Sequence, residues 1–178
     1  MSKLLNKTIP LNGVKVNQES SIMHINGKLG SLSVKMYDYL DVQVDDVIKL
    51  IPNRKLMSGE KAMVGTVSAL VRNAVVGVSQ GHHKALEING VGYKASVAGK
   101  KLQLKLGFSH DVNMEIPESM DVKVEGNAIL MSHYCKQTLG DFADSIYRLR
   151  PVEPYKGKGV RYRGQIVIRK QGKAGKNG

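Results

Sequence analysis

The sequence predicts an α+β fold: two tandem, similar domains, each an antiparallel β-sheet packed with one α-helix. Three observations predict it. Apolar residues alternate with polar ones over several short runs, each closed by a turn signal. Two segments instead repeat their apolar residues at spacings of three and four. The order is strands, helix, strands, helix, and an Ile-Asn-Gly turn occurs in each half.

In chain order, Ile25-Asn26-Gly27 marks the first turn, and Leu32, Val34 and Met36 alternate with Ser31, Ser33 and Lys35. A single apolar face per strand is the antiparallel habit. Met63, Val67, Leu70, Ala74 and Val78 then predict the buried face of a first helix. Ser58 is its expected N-cap, with Glu60 in the first turn. Leu102, Leu104 and Leu106 predict a strand, and Val112, Met114 and Ile116 another, ended by Pro117. Asn89-Gly90, Ala98-Gly99-Lys100 and Glu125-Gly126-Asn127 mark the turns between strands. Leu139, Phe142, Ala143, Ile146 and Leu149 predict a second helix, with Ser132 as its expected cap and Pro151 as its stop.

Two readings of the recurring Asn-Gly stand side by side. Either Ile25-Asn26-Gly27 and Ile88-Asn89-Gly90 are equivalent points of a duplication, or each is an ordinary hairpin turn. With duplication, residues 1–82 form the N-terminal domain, 83–170 the C-terminal domain and 171–178 a basic tail. The boundary lies near Ser79-Gln80-Gly81-His82-His83.

The chain of 178 residues is 42% hydrophobic, enough for a packed core. No uninterrupted apolar run approaches the roughly 18–20 residues of a membrane span, and the N-terminus lacks the apolar stretch of a secretory signal. One cysteine, Cys135, excludes an internal disulfide framework and fits a reducing compartment.

Charge is concentrated at one end. Of the +12 net charge, +9 lies between Arg148 and Gly178, where ten cations face one acid, Glu153. Such a segment calls for a polyanionic partner. Lys156, Lys158, Arg161 and Arg163 supply donors for phosphate oxygens. Gly157 and Gly159 let the backbone approach a phosphate closely, and Tyr155 and Tyr162 can stack on an exposed base. Residues 154–164 are therefore expected to form an RNA-binding loop, aimed by Pro151 and Pro154. RNA is favoured over DNA because no recognition helix, zinc-ligand spacing or basic zipper occurs. Arg169, Lys170, Lys173 and Lys176 continue the cationic run. The tail from Gln171 either threads over a polyanion or is a simple disordered end.

Other constellations point away from chemistry. His82-His83 has no carboxylate or thiol at ligand spacing, so no metal is expected; His82, His83 and Lys84 suit a turn or an RNA-facing surface. Cys135 has no evident base and reads as a buried or half-buried thiol. Asp141 and Asp144, near Arg148, read as a charged helix face. Gly90-Val91-Gly92 lacks the third glycine of a dinucleotide loop, and no phosphate-binding Gly-x-x-x-x-Gly-Lys-Ser/Thr occurs. No catalytic site, cofactor, membrane partner or small-molecule substrate is expected.

Glu153-Pro154-Tyr155-Lys156-Gly157-Lys158-Gly159-Val160-Arg161-Tyr162 resembles the signature of ribosomal protein six of the large subunit, bacterial type. Asn89-Gly90-Val91-Gly92-Tyr93-Lys94-Ala95, Leu106-Gly107-Phe108-Ser109-His110 and Gly65-Thr66-Val67-Ser68-Ala69-Leu70 resemble three further stretches of that family. The resemblance implies two copies of one small fold, and binding to large-subunit rRNA mostly through the second domain. It places the protein near the stalk base and the sarcin–ricin loop, beside neighbouring ribosomal proteins and the docking region of translational GTPases. The family turn adds His110 to the candidate RNA contacts. The implied location is a ribosome, in a bacterial cytoplasm or an organelle such as the mitochondrial matrix. Val152 departs from the family pattern, where a proline is usual, and so does Leu4-Leu5-Asn6-Lys7-Thr8-Ile9-Pro10. The alternative role is a free RNA- or DNA-binding architectural protein.

Overall fold

A computed structural model describes residues 8–11, 13–45 and 47–172. The chain divides into two units, one of residues 1–82 with 134–136, the other of 83–133 with 137–178.

The first unit contains β1 (Ile9–Pro10), β2 (Lys15–Glu19), β3 (Ile22–Asn26), β4 (Ser31–Lys35), β5 (Leu40–Val44), β6 (Val47–Pro52) and α1 (Ser58–Gln80). The strands form two antiparallel sheets, β1-β6-β5 and β2-β3-β4. Met23, Ile25, Ile48, Val67, Val71 and Val78 are among the side chains buried between these sheets and α1.

The second unit repeats the order with β7 (His82–Asn89), β8 (Lys94–Ala98), β9 (Lys101–Lys105), β10 (Val112–Glu115), β11 (Asp121–Glu125), β12 (Ala128–His133) and α2 (Lys136–Leu149). It then adds β13 (Gly159–Tyr162). Its sheets are β10-β9-β8 and β11-β12-β7-β13. Leu102, Leu104 and Leu106 are fully buried with Leu86, Ile129, Met131, Leu139 and Ile146, so the predicted alternation and the predicted face of α2 both form core. Gly99-Lys100 and Gly126-Asn127 close two-residue hairpins, with Gly99 and Gly126 both at φ 60°.

The shared strand order corrects the equivalence drawn from sequence. In each unit one strand leads into a three-stranded meander, then a hairpin, then a helix. Ile88-Asn89-Gly90 follows the leading strand β7, whereas Ile25-Asn26-Gly27 closes β3 in mid-meander. The counterpart of Asn89-Gly90 is the sequence Asn12-Gly13, which follows β1. Asn-Gly is favoured in many tight turns and cannot by itself set a repeat register.

Both expected caps differ as well. Ser58 is already helical; Met57 is the extended residue before α1, and its N–H donates to Glu60 Oε2 at 2.8 Å. Ser132 lies in β12, opposite Asp121, and α2 begins four residues later. The buried face of α1 is also rotated from the predicted one. Val64, Val67, Ser68, Val71, Ala74, Val75 and Val78 face the core, while Met63 and Leu70 are 38% and 47% exposed. At 23 residues α1 is long and apolar enough to cross a membrane by length and composition, although polar residues interrupt its apolar runs. Its buried face is built into the core of the first unit.

Candidate nucleic-acid interface

The basic segment is a strand with a cationic group at each end rather than one continuous loop. β13 pairs antiparallel with β7: Gly159 with Asn89, Val160 with Ile88, Arg161 with Glu87 and Tyr162 with Leu86. Val160 is fully buried, which is the apolar anchor that holds a chain this basic against a sheet. The Arg163 N–H continues the ladder to the Ala85 carbonyl at 3.0 Å. The outer edge of β13 is covered by its own chain. Val160 N–H donates to the Arg150 carbonyl at 2.8 Å, and Tyr162 N–H donates to Gln165 Oε1 at 3.1 Å. Gln165 N–H returns to the Tyr162 carbonyl at 2.9 Å.

This arrangement uses the glycines in packing. Gly159 has φ 132°, and a methyl group there would sit 2.6 Å from the Pro151 carbonyl oxygen and Val152 Cα. Gly157 is buried at φ 69°, where a methyl group would lie 3.3 Å from Arg169 Nη2. Gly159 serves the packing of the 150–159 arm on itself, and Gly157 lets the arm lie against the Arg169 side chain.

At one end of β13 lies a concavity of about 530 Å³ lined by Tyr93, Arg150, Pro151, Glu153, Tyr155, Lys156 and Lys158. Tyr155, Lys156 and Lys158 are exposed. Lys170 N–H donates to the Pro154 carbonyl at 2.9 Å, so exposed Arg169 and Lys170 come back to this end. The Arg150 guanidinium lies 5.7 Å from the centroid of the Phe108 ring.

At the other end a second concavity, about 490 Å³, is lined by residues that include His83, Lys84, Lys123, Arg163, Asp121 and Ser132. Lys84 Nζ stands 5.3 Å from the Tyr162 ring centroid, and Tyr162 stacks on Tyr147 at 5.5 Å. Burial pushes the Tyr162 hydroxyl above its ordinary pKa, with the Asp144 carboxylate adding to the effect. Tyr162 is thus engaged within the unit, and only Tyr155 of the two predicted stacking residues presents a largely open ring.

Arg161 is also engaged: its guanidinium pairs with Glu87. His82 is half-buried, with Nε2 2.9 Å from the Asn73 carbonyl on α1, so it is held by the helix. His110 is exposed on the turn after β9 and lines neither concavity. Lys173 and Lys176 lie outside the described residues. Asp144 pairs with Arg148 at 2.6 Å, one turn along α2. Among the described residues no group of three His, Cys, Asp or Glu side chains gathers to hold a metal.

Sequence reasoning missed Tyr93, Arg150 and Lys123. Tyr93 ends the Asn-Gly-Val-Gly-Tyr stretch, and Arg150 directly precedes Pro151. Lys123 carries no local signal, since it is one polar residue in an alternating strand.

Compared with known proteins, the chain matches the model of the family described as ribosomal protein L6 over residues 10–81 and again over 89–163. It is 39% identical over 175 residues to the large ribosomal subunit protein uL6 of Teredinibacter turnerae, covering 97% of this chain and 99% of that one. It is 42% identical over 179 residues to the uL6 protein of Mycoplasma genitalium, covering 97% of each. A match to the uL6 protein of a Sulfurovum species reaches 56% identity over 115 residues and spans 65% of each chain.

Proposed function

Since this chain belongs to the ribosomal protein L6 family, we propose that it is a structural, non-enzymatic constituent of the large ribosomal subunit held in place by rRNA. The second domain, residues 83–170, supplies most of the contacts. The partner RNA lies near the stalk base and the sarcin–ricin loop, where neighbouring ribosomal proteins and translational GTPases meet. The ribosome is the cytoplasmic one, in keeping with the bacterial relatives.

One observation carries this reading. Of the ten cations between Arg148 and Gly178, Arg150, Lys156, Lys158 and Arg163 line the two concavities flanking β13, and Arg169 and Lys170 return to the first of them. Lys and Arg set against phosphates release condensed counterions, which supplies affinity, while the shape of folded RNA supplies specificity.

Photocrosslinking from Tyr155 in purified ribosomal particles tests it. Crosslinks to large-subunit rRNA are expected. Recovery of the protein away from particles, with no rRNA crosslink, overturns it.

A further inference from the structure

We propose that the second unit grips double-helical RNA across the outer face of its four-stranded sheet. One cationic cluster meets each phosphate strand, and the Glu87–Arg161 pair lies over the groove between them. This rests on the rRNA-binding role and names the form of RNA and its points of contact.

Both clusters border one face. Along β7, Leu86 and Ile88 point into the core, so His83, Ala85 and Glu87 point outward. Along β13, Val160 is buried inward, which turns Gly159, Arg161 and Arg163 outward. Lys123 alternates with buried Val122 on β11 and joins the same side, where its Nζ lies 3.3 Å from the Asp121 carboxylate, a solvent-exposed pair that a phosphate can displace. The far cluster borders this side too. Val160 N–H donates to the Arg150 carbonyl and Pro151 bridges Val160, so the arm that carries Lys156 and Lys158 runs beside β13 along the border of this face.

The clusters are separated, not continuous. Lys158 and Arg163 are five residues apart along an extended chain, a span of about 17 Å. Between them stands Glu87, whose Oε2 is taken by Arg161 and whose Oε1 makes no hydrogen bond among the described residues. A single phosphate chain tracking from one cluster to the other would pass that carboxylate. Two phosphate strands flanking a groove would not. A-form RNA has a wide, shallow minor groove lined with 2′-hydroxyls, which both donate and accept. Glu87 Oε1 can accept from such a hydroxyl and Arg161 Nη1 can donate to one. The face also lacks a row of open rings, because Tyr162 is stacked on Tyr147; single-strand binders depend on such rings.

The test is the affinity of the full chain for a short blunt RNA duplex, a DNA duplex of the same sequence and single-stranded polyuridine, each at several salt concentrations. The RNA duplex is expected to bind tightest. Lys156→Ala with Lys158→Ala, and separately Lys123→Ala with Arg163→Ala, should each weaken duplex binding about tenfold or more. Each should lower the salt slope by about 0.9 for every phosphate that is no longer neutralised. Glu87→Met with Arg161→Met keeps the net charge and should reduce the preference for RNA over DNA. Unchanged duplex binding by the folded Lys123/Arg163 variant, with weaker binding by the Lys156/Lys158 variant, overturns the two-strand grip but leaves the rRNA role standing. Unchanged binding in both variants overturns the two together, and equal binding of single strand and duplex overturns the grip.

Discussion

Arg161 faces Glu87 across the β13–β7 ladder, and its Nε and Nη2 both donate to a single carboxylate oxygen, Oε2, at 2.9 and 2.8 Å. Both side chains are partly exposed, so the pair sits at the modest end of ion-pair energies. Arg161→Ala should cost about 1 kcal/mol in urea unfolding and less in high salt. Lys156→Ala, with no ion-pair partner among the described residues, should leave stability within about 0.5 kcal/mol. Equal losses from the two would mean that the pair does not fasten β13.

Gly159→Ala should be among the costlier small substitutions in the second unit. It forces a side chain onto φ 132° and into backbone at 2.6 Å, a loss of about 2 kcal/mol or more. The measurement is thermal unfolding together with amide exchange at Val160, whose N–H donates to Arg150. Faster exchange at Val160 without global unfolding would show the 150–153 arm lifting from the strand.

The two faces of α1 predict opposite outcomes for neighbouring residues. Val71 is fully buried, and Val71→Ala should cost about 2 kcal/mol. Leu70 is 47% exposed, and Leu70→Lys should stay within about 0.5 kcal/mol. Urea midpoints of the two variants distinguish this face from the one expected from spacing alone.

At the start of α1 the Glu60 carboxyl is held below its usual pKa, first by the Met57 N–H and then by Arg54. A carboxyl bound more tightly as the anion in the folded state stabilises the fold above its unfolded pKa, near 4.5. That contribution disappears as the pH falls through the lowered folded value. Glu60→Gln should therefore unfold at a lower temperature than wild type at pH 7, with the gap closing as the pH falls below 4.5. A gap of constant size would assign the effect to shape rather than charge.

What could be read from the sequence follows from how many faces of an element are apolar. Leu102, Leu104 and Leu106 alternate with Lys101, Gln103 and Lys105, so their strand and its inward face were legible. In α2 the acids and Arg148 leave Leu139, Phe142 and Ile146 as one clear stripe. In α1 apolar residues occupy both faces, so Met63 and Leu70 were as plausible as Val64 and Val71. β13 was hidden because Gly159-Val160-Arg161-Tyr162 carries one fully buried side chain among flanking cations and glycines. The cationic end was legible as charge. Its division into two clusters depends on strand pairing, which local composition does not encode.

The covered edge of β13 has a consequence for the protein before it is assembled. A terminal strand with open N–H and carbonyl groups is a template for a second copy to join. Here the Gln165 side chain occupies the N–H of Tyr162 and the returning Arg150 occupies that of Val160. Two copies are therefore kept from zipping together along this margin, and the chain's own turn at 162–165 acts as its guard against clumping.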